Sequence, residues 1–61
     1  MSTKQAILAS LLVNGPANMS EICISVLSTR GVVDYERVCQ ELHQLIRESK
    51  VAVSMGKYSA V

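Results

Sequence analysis

The residues able to do chemistry are few: one histidine, His43, two cysteines, Cys23 and Cys39, and five carboxylates. Nucleophilic catalysis needs a thiol or hydroxyl beside a base, with a third group to orient that base. Cys39 precedes His43 by one helical turn, yet it continues an apolar stripe, whereas His43 lies among polar neighbours. The two therefore face different ways, and no enzyme is expected. Structural metal sites take four ligands at recognisable spacings, which one histidine and two distant cysteines do not supply. Each cysteine falls inside an apolar helical stripe, where a free thiol packs as a small hydrophobe. The expectation is two reduced, packed thiols in a cytoplasmic protein, with no metal, no cofactor and no small-molecule substrate.

Sixty-one residues allow one domain, 1–61, burying about 60% of its unfolded surface. With 49% apolar residues and 18% charged, the chain is too hydrophobic for a disordered polar tail. No apolar run is long enough to cross a membrane. The uncharged stretch from Gln5 to Pro16 has neither the basic head nor the cleavage site of a signal peptide. A formal net charge of +1 gives little general steering toward polyanions. Without Phe or Trp, the core must be built from Leu, Ile and Val.

Gly15-Pro16, Gly31 and Gly56 punctuate the chain into three helix-length pieces and a short tail. The first piece, 2–14, opens on Ser2 with Gln5 three residues on, a capping-box spacing. Ile7, Leu8, Leu11 and Leu12 form its apolar stripe, and Ala6, Ala9 and Val13 leave the opposite side without charge. That back face either lies sandwiched in the core or meets a second molecule. The second piece opens on Asn18 and Glu21, with Met19, Ile22, Cys23, Val26 and Leu27 inward and Ile24 at the boundary.

The third piece starts at Asp34, an N-cap that suits the positive end of the helix dipole. Tyr35, Val38, Cys39, Leu42, Leu45 and Ile46 form its inward face, and Arg37, Gln40, Gln44 and Arg47 point away. Only Gly31-Val32-Val33 separates it from the second piece, which makes a helix-turn-helix. The tail alternates, Val51, Val53 and Met55 against Ala52 and Ser54, and then breaks at Gly56-Lys57. This pattern predicts a two-stranded hairpin with a type II′ turn on those two residues.

The order of three helices and a hairpin resembles the winged helix-turn-helix family. The resemblance is carried by Asn18-Met19-Ser20-Glu21-Ile22, by Gly31-Val32-Val33-Asp34, by Val38, Leu42, Leu45 and Ile46, and by Lys50-Val51-Ala52-Val53. It spans nearly the whole chain. The chain is also similar to the very small single-domain regulators of bacterial pilus operons and of phages. The fold class this implies is mostly α with a C-terminal β-hairpin, three helices plus a wing.

By that resemblance the third helix is a DNA-recognition helix and Gly56-Lys57 the wing tip. Tyr35, Glu36, Arg37, Gln40 and Gln44 then face a groove, with Arg47 further along. Arg pairs bidentately with guanine and Gln with adenine, each worth about 1–3 kcal/mol of discrimination. Lys57 on the wing, with Lys4 and Arg30 near helix ends, would hold phosphates. Between Asp34 and Glu48, however, four acids stand against Arg37 and Arg47. Phosphate contacts dominate affinity, so DNA binding by one chain alone should be weak. Glu41, four residues after Arg37, is spaced to pair with it. A homodimer or protein partner, engaged through Ala6, Ala9 and Val13, would make up the shortfall. The competing expectation is a winged-helix interaction module that binds a repressor or a replication factor and no DNA of its own.

Overall fold

The computed structural model describes residues 2–61. Three helices, α1 (Thr3–Asn14), α2 (Met19–Arg30) and α3 (Tyr35–Arg47), precede two strands, β1 (Val51–Ser54) and β2 (Lys57–Ala60). The architecture is the expected one, three helices plus a C-terminal wing.

Side chains close the start of each helix. Ser2 Oγ accepts from the Gln5 N–H at 3.1 Å, and Gln5 Oε1 accepts from the Ser2 N–H at 3.0 Å. Asn18 and Glu21 repeat the reciprocal arrangement at 2.9 Å each way. Asp34 Oδ1 accepts from the Arg37 N–H at 3.3 Å. Such caps satisfy amide donors that have no partner within the helix. α2 stops where Gly31 turns left-handed (φ 78°), which frees the chain to reverse into α3.

β1 and β2 pair antiparallel, with Val51 opposite Ala60 and Val53 opposite Tyr58. The turn joining them is Met55-Gly56, at φ 52° and 78°. Two positive φ values make a type I′ turn, one residue earlier than the expected II′ turn on Gly56-Lys57. Lys57 is therefore the first residue of β2, opposite Ser54, and Met55 is the tip. Type I′ matches the right-handed twist of the strands as well as type II′ does, and Gly56 serves as its second residue instead of the first.

A backbone bridge binds the wing to the helices. Ala17, in the link between α1 and α2, exchanges both backbone hydrogen bonds with Tyr58, at 2.9 and 2.8 Å. β2 thus lies between β1 and a one-residue third strand. A lone hairpin is marginal in water, and this bridge is part of what anchors it.

The core comprises Ala6, Ile7 and Leu11 of α1, Ala17 of the following link, Ile22 and Val26 of α2, Val38, Leu42 and Leu45 of α3, and Val51 of β1. α1 lies against α2, α3 and β2 at once. Its phase differs from the expected stripe. Ala6 is buried at 1% exposure, with Thr3 and Ser10 beside it, while Leu12 stands 72% exposed. A helix touched from three sides needs small residues where its neighbours approach closely, and Ala6 and Ser10 meet that need. Ala6 therefore belongs to the core and not to a back-face interface. Tyr35 and Leu27, expected inward, are also exposed, and both sit near helix ends where the neighbouring elements no longer cover them. Arg30 Nη1 donates to the hydroxyl of Thr3, satisfying a buried oxygen and tying the end of α2 to the start of α1. Among the described residues no helix is long and apolar enough to cross a membrane.

Candidate functional site

Val38, Leu42 and Leu45 set the inward direction of α3. At 100° per residue, the line opposite them runs through Glu36, Gln40 and Arg47, flanked by His43 and Gln44. All five are exposed. Gln40, His43, Gln44 and Arg47, together with Glu48 just past the helix, border an open groove of about 370 Å³. Three of the expected contact residues, Gln40, Gln44 and Arg47, therefore share one surface. His43, set among polar neighbours in the sequence, joins them, because it lies three residues after Gln40 and four before Arg47.

The remaining expected residues do not line this groove. Tyr35 is exposed at the N-terminal end of α3, and Lys57 is exposed in β2. Arg37 lies on the flank, where its Nε stands 3.4 Å from Glu41 Oε1. This is the pairing that the i, i+4 spacing predicts. Further down the same flank, Glu48 gathers three partners. Lys4 Nζ approaches it at 3.4 Å, Lys50 Nζ at 3.8 Å, and Gln44 Nε2 donates to it at 3.4 Å. Lys4 and Arg30 are thus engaged inside the molecule, the latter with Thr3, and are poorly placed as phosphate contacts. Among the described residues, Arg47 and Lys57 are the cations with no ion pair and no side-chain hydrogen bond. The groove is bordered by one cation, Arg47, and one anion, Glu48, with the Gln40 amide, the His43 imidazole and the Arg47 guanidinium free of side-chain partners among the described residues.

On α1, Ala9 is half-buried and Val13 stands 82% exposed beside Leu12. The uncharged outer face of this helix thus exists, shifted toward its C-terminal end and led by a leucine expected in the core. Cys23 and Cys39 are free thiols, each half-buried instead of fully packed. Burial pushes the Cys23 thiol above the usual range, and the neighbouring Cys39 adds a smaller push in the same direction. Among the described residues, no three of His, Cys, Asp and Glu stand together as a metal-binding group.

Comparison with models of known families, with curated proteins and with solved structures gives no match for this chain.

Proposed function

We propose that this chain is a small DNA-binding or DNA-co-binding transcriptional regulator of the winged helix-turn-helix type, working in the cytoplasm and without catalysis. The observation that carries the reading is the outer stripe of α3. Gln40, His43, Gln44 and Arg47 are exposed, border one groove and follow a helix-turn-helix turn. α3 enters the major groove, where Gln40 and Gln44 offer amides to adenine and Arg47 offers a guanidinium to guanine. Lys57, on the wing, meets the phosphate backbone. Few free cations mean that binding by one chain is weak and that a second chain or a larger DNA-bound partner completes it. The test is enrichment of a random duplex pool at about 50 mM salt, followed by fluorescence anisotropy on the selected sequence. Failure to enrich any duplex, with or without a partner, removes the DNA reading.

A second reading is supported by a separate observation, the exposed Leu12 and Val13 on α1. In that case the chain is an interaction module that docks on another regulator through α1. Val13→Glu then abolishes partner binding, while Gln40→Ala leaves it intact.

A further inference from the structure

We propose that α3 reads DNA with its C-terminal half, from Gln40 to Arg47, and holds its N-terminal turn away from the duplex. This inference rests on the DNA reading above. In helix-turn-helix proteins the N-terminal residues of the recognition helix ordinarily contact the base edges. Here that end is arranged against such an approach. Asp34 caps the helix with its carboxylate, and Glu36 occupies the outermost line of α3 with no cation beside it. Arg37, the one base in this turn, is drawn sideways to Glu41. A duplex phosphate brought to this end would meet two carboxylates and no free guanidinium, and like charges repel.

The other end is built the opposite way. Arg47 is unpaired. Both acids there are paired: Glu41 with Arg37 on the flank, and Glu48 with Lys4 and Lys50, which balance its charge from two sides. The groove also lies at this end, bounded by Gln40, His43, Gln44 and Arg47. From Gln40 to Arg47 the helix advances about 10 Å, roughly three base-pair steps. β1 begins three residues after Glu48, so the wing follows directly from the reading end. The site read by one chain is therefore short, about three or four base pairs, with an adenine contact toward Gln40 and a guanine contact toward Arg47.

The experiment compares two sets of variants on a duplex selected by the parent chain, with circular dichroism melts to confirm folding. One set is Gln40→Ala, Gln44→Ala and Arg47→Ala; the other is Tyr35→Ala and Glu36→Gln. Gln40 makes no internal side-chain hydrogen bond, so it remains informative if loss of the Gln44–Glu48 contact disturbs the fold. The expected result is that each variant of the first set loses about tenfold preference at one base pair. Tyr35→Ala leaves the preference unchanged, and Glu36→Gln tightens all duplexes alike. A changed base preference in the second set, with the first set unaffected, overturns the inference while leaving DNA binding in place. A parent chain that selects no duplex overturns the DNA reading itself, and the inference falls with it.

Discussion

Arg37 Nε lies 3.4 Å from Glu41 Oε1, one turn further along α3. The pair is half in solvent and worth only about 0.3–0.5 kcal/mol to the fold. On the DNA reading proposed above, its larger effect is on charge, because it holds one cation away from phosphates. Glu41→Gln should leave the melting temperature nearly unchanged and raise affinity for every duplex. The slope of affinity against salt should steepen by about one unit. Anisotropy titrations over a salt series measure this, and an unaltered slope would show that Arg37 reaches no phosphate even when released.

Leu42 and Leu12 provide a paired test of the core. Leu42 is fully buried, and Leu12 is 72% exposed, although both lie on apolar stripes in the sequence. Leu42→Ala should cost about 2–5 kcal/mol. Leu12→Ala should stay within about 0.5 kcal/mol, as for other surface changes. Urea unfolding of the two variants decides it; comparable losses would put Leu12 back in the core.

Met55 holds a positive φ of 52° at the wing tip, and its side chain is 99% exposed. Left-handed backbone costs an L-residue about 1–2 kcal/mol, and Asn tolerates it best in a type I′ turn ahead of Gly. Met55→Asn should therefore stabilise the domain by roughly 1 kcal/mol, a rise of about 4–8 °C in melting temperature. A lower melting temperature would mean that the turn is not of this type.

Burial holds the Cys23 proton in the folded chain, with a lesser contribution from Cys39. The folded state then binds that proton more tightly than the unfolded state does. The resulting stabilisation is complete below the unfolded thiol value of about 8.5 and is lost as pH rises through the higher folded value. As pH rises above the unfolded thiol value of about 8.5, the parent should lose more melting temperature than Cys23→Ala, which lacks the group. Equal losses in both would assign the alkaline sensitivity to other residues.

What could be read in advance, and what could not, follows from how strongly each segment contrasts its faces. α3 alternates sharply between apolar and charged positions, so Val38, Leu42 and Leu45 were correctly turned inward and Gln40, Gln44 and Arg47 outward. The caps at Ser2, Asn18 and Asp34 were legible because their hydrogen bonds are local. α1 offers no such contrast. Only Lys4 is charged along it, so hydrophobicity left its phase undetermined and crowding by three neighbours chose Ala6 and Ser10 over Leu12. The wing turn was displaced because Gly56 satisfies a type II′ turn as its first residue and a type I′ turn as its second. Of the candidate site, His43 was overlooked because a polar residue on a polar face carries no sign of the groove that its neighbours form with it.

The bridge between Ala17 and Tyr58 joins positions 41 residues apart. Closing a flexible loop of that size costs about 3 kcal/mol in chain entropy, far more than the tight turns between the helices. The bridge is therefore a contact whose closure depends on the helices between its two partners being in place. In hydrogen exchange, the amides of Ala17 and Tyr58 should lose protection together, ahead of those in the middle of α1.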